Sequence, residues 1–295
     1  QGKNVVYNDI MSFNCQIAHA LMNSVPGCLS HQDIPNLFIE NPNRNYLHHI
    51  EEEFDGIYYL RDENRTIDIV RQNIDYLPIE QQASALYLLF QSCLIKRPFN
   101  LFHRNNLNLR LNHKNSNFGN AVTWERSFVD LFERFLSELH RCQMNGEGYI
   151  RVMNGSALQC EAHADLVYID PPYFPSNSSN VSYHSRYHFL EGLMHYADIP
   201  QLINHQKKNN ELVCGLNPEF ELKNRFLQDL DDLLANHEDS VVALSYNTDG
   251  YPSVAELCHV VARHKDNVRV CYLGNYSYAL NRHNDGRQEI LIIGQ

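Results

Sequence analysis

The sequence is first informative for what it lacks. No run of about eighteen consecutive apolar residues occurs, and the longest apolar stretches, Ala85 to Phe90 and Ile290 to Ile293, have the length of buried core elements. A membrane-spanning helix is therefore not expected. There is no leader with a charged start, an apolar middle and a small-residue cleavage site, so no targeting peptide is expected. The chain opens on Gln1-Gly2-Lys3 rather than Met, which suggests a preceding segment. The eight cysteines (15, 28, 93, 142, 160, 214, 258, 271) form no C-x-x-C pair and no paired spacing, so reduced thiols in a cytoplasm are expected rather than a disulfide scaffold. H-E-x-x-H is absent despite sixteen histidines. His184 and His188, four apart, have no third ligand at an obvious spacing, and no metal site is expected. Glycine (13) and proline (11) are sparse for 295 residues, which fits one large globular domain or two smaller ones with proper cores.

One absence is local. From Lys96 to Trp124 there is no Asp or Glu, while Lys96, Arg97, Arg104, Arg110 and Lys114 stand beside His103 and His113. The formal charge of -11 argues mildly against nucleic acid as a partner, since phosphates favour Lys and Arg. This stretch runs the other way, and on charge alone a solvated basic loop explains it as well as a binding segment.

Val5-Val6-Tyr7 is a β-branched run closing on Asn8-Asp9, and a helix is expected from Phe13 to about Asn23. From Val25 to about Pro78, with Pro26, Pro35 and Pro42 as breakers, only short elements are expected. Helices are expected at Glu80 to Leu94 and at Thr123 to Arg141, the second with Trp124, Phe128, Leu131, Phe132, Phe135 and Leu139 at helical spacing. Beyond Gly146 and Gly148, strands at Tyr149 to Met153, Leu166 to Ile169, Val241 to Ser245, Val268 to Leu273 and Glu289 to Ile293 alternate with helices. Those helices lie at about Phe189 to Tyr196, Phe220 to Ala235 and Ser253 to Arg263. The alternation implies an α/β fold with a mostly parallel sheet, helices on both faces and an antiparallel hairpin at one edge.

Ligands of open α/β sheets gather beyond the carboxyl ends of the strands. There Leu166-Val167-Tyr168-Ile169 runs into Asp170-Pro171-Pro172-Tyr173. Two prolines fix the backbone and remove two N–H donors, which leaves the carbonyls of Asp170 and Pro171 as rigid acceptors beside a carboxylate and an aromatic ring. Such a cluster can grip an amino group on a flat ring. Two acceptors take its N–H groups, draw the lone pair out of the ring towards an incoming methyl group, and Tyr173 stacks on the ring face. A strand-ending turn with no further role accounts for the same residues.

D-P-P-Y at a strand end resembles the signature of amino-directed, S-adenosylmethionine-dependent methyltransferases, and other segments resemble the bacterial DNA adenine-N6 methyltransferases in particular. Val5-Val6-Tyr7-Asn8-Asp9-Ile10 is similar to the family's second motif, whose acidic residue takes the cofactor's ribose hydroxyls. Residues 54–60 with Glu63-Asn64, and 96–104, resemble segments of one branch. Ser182 to Tyr187 resembles its substrate-side loop, Leu244-Ser245-Tyr246-Asn247 the strand end behind the target base, and Gln288 to Ile293 its final strand. Two departures stand out. The Gly-rich cofactor loop has no match, since Gly146-Glu147-Gly148 is followed by Arg151 where a third glycine would fall. The spacing from Asp9 places that loop about ten residues before Gln1. The adenine-side acidic residue aligns with Ser156.

The resemblance implies a Rossmann-like methyltransferase sheet interrupted by a mostly helical or irregular target-recognition insertion. Its boundaries would be 1–30 for the N-terminal part of the catalytic domain, 31–145 for the insertion and 146–295 for the main catalytic part. Asp170, Pro171, Pro172 and Tyr173 would be catalytic on an adenine flipped out of double-stranded DNA. Asp9, Ile10, Ser156, Ala157 and Asp170 would bind S-adenosylmethionine. Lys96, Arg97, His103, Arg104, Arg110, Lys114, Tyr183, His184 and Arg186 would meet the DNA. A restriction-modification or related defence system, with a restriction or partner subunit, is the implied setting. Methylation of an RNA amino group or of cytosine N4, and a non-catalytic DNA-binding subunit, stay open as rivals at this point.

Overall fold

The computed structural model describes residues 2–112, 121–144, 148–175, 181–215, 219–275 and 288–295. In chain order the elements begin β1 Val5–Asp9, α1 Ser12–Ala18, α2 Ile34–Leu37, α3 His49–Glu53, α4 Arg61–Ile74, α5 Ile79–Ile95 and α6 Leu107–Leu111. Then come α7 Ala121–Glu125, α8 Phe128–Cys142, β2 Ile150–Asn154, β3 Leu166–Ile169, β4 Phe174–Pro175, α9 Tyr183–Met194 and α10 Ile199–Leu202. The series closes with α11 Phe226–Ala235, β5 Val241–Asn247, β6 Gly250–Tyr251, α12 Val254–Val261, β7 Val268–Asn275 and β8 Gln288–Gly294. The chain forms two compact units. One comprises residues 1–154 and 184–216, the other residues 155–183 and 217–295. The segments 1–30 and 31–145 thus share a unit, and 184–216 joins them. Among the described residues no helix is long and apolar enough to cross a membrane.

The first unit is helical around a parallel pair of strands. β1 and β2 pair in register from Val5↔Ile150 to Asp9↔Asn154. Gly148 stands just before β2 because the Cβ of any other residue would lie 1.8 Å from the Lys3 carbonyl oxygen. That close approach, rather than a cofactor loop, accounts for this glycine. α5 is apolar on nearly every side, with Ala85, Leu86, Tyr87, Leu88, Leu89, Phe90 and Cys93 buried. α8 is amphipathic and buries Phe128, Leu131, Phe132, Phe135, Leu136 and Leu139. The expected single helix from Thr123 to Arg141 is two, α7 and α8. Ser127 breaks it in an extended conformation and caps α8, its hydroxyl accepting from the Asp130 amide at 3.1 Å.

The largest difference from the sequence reading is α4, a 14-residue helix inside the stretch expected to be irregular. Its buried face carries Asn64, Asp68, Arg71 and Asn73 beside Ile67, Ile69, Val70 and Ile74, so apolar periodicity does not reveal it. Each of these four polar side chains reaches a backbone partner. Asn64 donates to the Phe54 carbonyl, Asn73 to those of Leu37 and Ile39, and Arg71 to that of Leu193, while Asp68 accepts from the amides of Ile50 and Glu51. α4 is in this way the polar post against which the irregular chain is tied.

The second unit holds a four-stranded sheet in the order β3-β5-β8-β7. Only β3 and β5 run parallel in it; β8 is antiparallel to both β5 and β7. The expected hairpin is present, but its second strand lies inside. Ile290 and Ile292 of β8 are fully buried while Tyr272 and Leu273 of β7 are exposed, so the more apolar strand takes the inner position. α11 and α12 supply Phe226, Leu230, Leu234, Leu257 and Val261 to the core with Val242, Leu244 and Tyr246 of β5. The whole is a mixed α/β structure, less parallel in its described sheet than the sequence suggests.

Candidate active site

β3 is buried at its last residue, Ile169, and the chain then emerges, so that Asp170 is exposed, Pro171 buried and Tyr173 half-buried. The turn is gripped from β5. Tyr173 Oη and Ser245 Oγ lie 2.8 Å apart in a hydrogen bond, and the Tyr173 ring sits 4.9 Å from that of Tyr246. Tyr246 Oη accepts from the Phe174 amide at 3.2 Å and donates to the Tyr251 carbonyl. β4 and β6 pair at this place, and Gly250 fits because a Cβ there would meet Asn247 Oδ1 at 2.7 Å and the Phe174 carbonyl oxygen at 3.0 Å. L-S-Y-N is thus the clamp of D-P-P-Y, through two side chains that alternate along one strand end. Burial by its neighbours raises the Asp170 carboxyl above the usual aspartate value, against a hydrogen bond from Tyr173 that lowers it. Chemically, the turn offers an exposed carboxylate, rigid carbonyls and an aromatic ring fixed at both its face and its hydroxyl.

Ser156 caps the short turn Ala157–Gln159, its hydroxyl accepting from the Leu158 amide at 3.1 Å and donating to the Glu219 carboxylate. A carboxylate 63 residues away thus stands at the position where the sequence offers only a serine. No local pattern around Glu219 signals this.

Asp9 ends β1 in the first unit. Oδ1 accepts from the Met11 amide at 2.8 Å, and Oδ2 from Tyr7 Oη and Asn14 Nδ2 at 3.0 Å each. Burial pushes its carboxyl up, while these three donors pull it down. Asn154 Nδ2 donates to the carbonyls of Asp9 and Ile10, which joins the ends of β1 and β2. The helix that follows has no capping side chain of its own at Met11. Glu191, from α9 and almost fully buried, accepts instead from Ser12 N, Ser12 Oγ and Phe13 N at 3.1, 2.6 and 3.2 Å. This carboxylate is the residue of the region that sequence reasoning misses, since it lies 179 positions from what it caps.

The basic segment requires a correction. Lys96, Arg97 and Arg110 are 2%, 0% and 6% exposed, and side chains so enclosed cannot reach a phosphate. Arg110 forms a two-pronged pair with Glu63 at 2.9 and 2.8 Å, and Lys96 Nζ lies 2.8 Å from the same carboxylate and donates to the Trp124 carbonyl. Burial alone would raise Glu63, but Arg110 and Lys96 outweigh it and hold the carboxyl below its ordinary value. A cleft of about 620 Å³ opens beside the three, remote in sequence from D-P-P-Y. Arg97 donates to the carbonyls of Leu101 and Arg104. Arg104 is exposed, and His103 beside it is held below the usual histidine range by burial and then by Arg104 and Arg186. Lys114 and His113 lie outside the described residues.

The expected substrate-side loop is the first turn of α9. The Tyr183 amide donates to Glu221, the His184 ring to the Leu212 carbonyl, and the Arg186 carbonyl accepts from the Phe102 amide. His188, the other half of the histidine pair, is buried, with Nδ1 accepting from the Leu212 amide at 3.1 Å and Nε2 bonded to Tyr58 Oη. Desolvation pushes its pKa down to about 3, so it stays neutral and structural.

Comparison with known proteins accords with these strand ends. No solved structure matches the chain. Type II methyltransferase M2.HphI of Haemophilus parahaemolyticus is 24% identical over 278 residues, covering 92% of this chain and 77% of that protein. The profile of the D12 class N6 adenine-specific DNA methyltransferases matches residues 1–213, which takes in the Asp9 strand end, the basic segment, the D-P-P-Y turn and all of α9. A match over that much of the chain, with both acidic strand ends inside it, shows that the protein belongs to the D12 class of N6 adenine-specific DNA methyltransferases.

Proposed function

We propose that the protein uses S-adenosylmethionine to methylate N6 of an adenine flipped out of double-stranded DNA. We further propose that it does so in the cytoplasm, as the modification activity of a type II restriction-modification system with a partner nuclease. The observation that carries this is the D-P-P-Y turn, where Asp170 stands exposed at a strand end and Tyr173 is locked by Ser245. The type II setting rests on the name of the relative. A Rossmann-like sheet interrupted by a target-recognition region at 31–145 is the matching fold reading, supported by the two parallel strand pairs and their acidic ends.

Asp9 fits the ribose of the methyl donor. Its carboxylate has about four acceptor positions and three are taken by Met11, Tyr7 and Asn14, which leaves one for a ribose hydroxyl. Ile10 adjoins it, and Ser156 with Ala157 would face the donor's adenine. Bound there, the donor supplies an electrophilic methyl group. Asp170 and the Pro171 carbonyl accept the two N–H bonds of the amine and localise its lone pair, while Tyr173 and Pro172 shape the wall on which the base stacks. As the N–C bond forms, the S–C bond of the donor would break and leave an uncharged thioether, and the nitrogen, now cationic and acidic, would shed one proton to Asp170 or to water. Flipping costs a few kcal/mol, which stacking and contacts to the base edge offset.

Transfer of tritiated methyl from S-adenosylmethionine to mixed-sequence duplex DNA, single strands and RNA tests this. Label recovered as N6-methyladenine from the duplex is expected. Label on RNA or on cytosine, or none on any substrate, defeats the proposal.

A further inference from the structure

β8 is apolar from Ile290 to Ile293, and a carboxylate, Glu289, stands directly before that run. In the antiparallel register Glu289 lies opposite Asn247 of β5 and Leu291 opposite Ser245. Side chains opposite one another share a face and alternate residues of a strand return to it, so Ser245, Asn247 and Glu289 stand on one face of the sheet. On its other side Glu289 faces Gly274 of β7, which brings no side chain. The shared face is the one that grips the D-P-P-Y turn. Tyr173 Oη lies 2.8 Å from Ser245 Oγ and points its proton towards Glu289 Oε2 at 3.5 Å, and it also hydrogen-bonds to the Asp170 carboxylate. One hydroxyl thus stands among three polar groups, and all four residues belong to the second unit.

A phenol has one proton to donate, and an ionised carboxylate only accepts. Ser245 has a proton of its own for Tyr173 Oη, which leaves the phenol proton for one of the two carboxylates. While that proton rests on Asp170 it occupies a lone pair and draws charge away from the oxygens that accept from the target amine. The contact to Glu289 is long for a hydrogen bond, and catalytic contacts of that kind shorten when the complex forms. We propose that Glu289 is a positioning residue of the methyl transfer, taking the Tyr173 hydroxyl off Asp170 when the amine arrives and so leaving the Asp170 lone pairs to the N6–H. No proton changes owner in this step. The O–H turns from one carboxylate to the other while Ser245 holds the oxygen, and the ring stays where the base stacks. The inference rests on the reading that Asp170 accepts from the target amine. It explains why the one acidic residue of an otherwise apolar strand faces this turn.

Steady-state methyl transfer to duplex DNA tests the role. Glu289→Met keeps the length of the side chain and removes the carboxylate. Thermal melting checks that it folds, and Glu289→Ala is read in its place if it does not. The kcat should fall about fivefold, the scale of one misdirected hydrogen bond, with KM for DNA within about twofold of wild type. Glu289→Gln, whose amide oxygen still accepts, should restore kcat to within about twofold of wild type. In a Tyr173→Phe background no phenol proton has to be moved, so adding Glu289→Met should change kcat by less than about twofold. A wild-type kcat for Glu289→Met, the same fivefold loss in the Tyr173→Phe background, or a Glu289→Gln variant as slow as Glu289→Met each overturns the role. Absence of any methyl transfer by the wild type overturns the proposed function and this inference with it, whereas normal wild-type transfer with any of those three results overturns the inference alone.

Discussion

The stretch from 96 to 110 and the turn from 170 to 173 are both rich in groups able to bind a ligand, yet the fold treats them oppositely. In the first unit Lys96, Arg97 and Arg110 turn inward and become architecture, two of them on the single carboxylate of Glu63. In the second unit Asp170 stands exposed at a strand end, and Ser245 holds the turn through the Tyr173 hydroxyl. Charge density along a sequence therefore says little about where charge ends up, whereas position at the carboxyl end of a strand says a good deal. The contrast is open to direct attack.

The largest effect is expected at Glu63. Glu63→Ala leaves Lys96 and Arg110 enclosed without their counter-charge and should cost about 3–5 kcal/mol in urea unfolding. No loss would mean that these cations are available to DNA after all. The pH dependence follows from the lowered carboxyl. Its contribution is complete above the ordinary value of 4.5 and is lost as the pH falls through the lower folded value, so Glu63→Gln should flatten the acid limb of the stability curve.

Asp170→Ala should lower methyl transfer by about 10²- to 10³-fold, the scale for removing one preorganised partner of a reacting group. Its unfolding free energy should stay within about 0.5 kcal/mol of wild type, because an exposed strand-end carboxylate packs against little. A raised Asp170 also predicts that activity falls, as the medium is acidified, at a pH above the ordinary aspartate value of 3.8. A rate that is flat through that range would separate the carboxylate from the chemistry.

Tyr173 gives a smaller and graded effect. Tyr173→Ala removes the ring and should cost about tenfold or more in rate. Tyr173→Phe keeps the ring and loses only the hydroxyl, with its bonds to Ser245, Glu289 and Asp170, and should cost about threefold or less. Equal losses in the two variants would shift the weight from ring to hydroxyl. Least visible of all is Arg104→Ala, expected to reduce the slope of log affinity against log salt by about 0.9, one phosphate's worth of counterion release. The same slope in the variant would take Arg104 off the backbone and weaken the contrast with its buried neighbours.

Much of the second unit was legible because its strands are short, β-branched and bounded by breakers, so that Leu166 to Ile169 can be read to the residue. α4 was not legible, since Asn64, Asp68, Arg71 and Asn73 occupy the face where periodicity looks for apolar residues. Nor was the break at Ser127, because the aromatic stripe of α8 continues backwards to Trp124 with an uninterrupted spacing. In the candidate site, D-P-P-Y, Asp9 and the strand end carrying Ser245 announce themselves as strand ends. Glu191 and Glu219 do not, because each is recognised by what it touches 179 and 63 residues away.

The sequence by itself determined the strand ends, the chemistry they present and the family to which they belong, because strand and turn propensities act over a few neighbouring residues. The tertiary structure alone decided which charges face water. A cation's exposure depends on whether a carboxylate or a row of carbonyls from a distant segment encloses it, and Glu63 lies 33 residues before the Lys96 it neutralises. That pairing is a property of packing, and packing is not written in any local stretch of the chain.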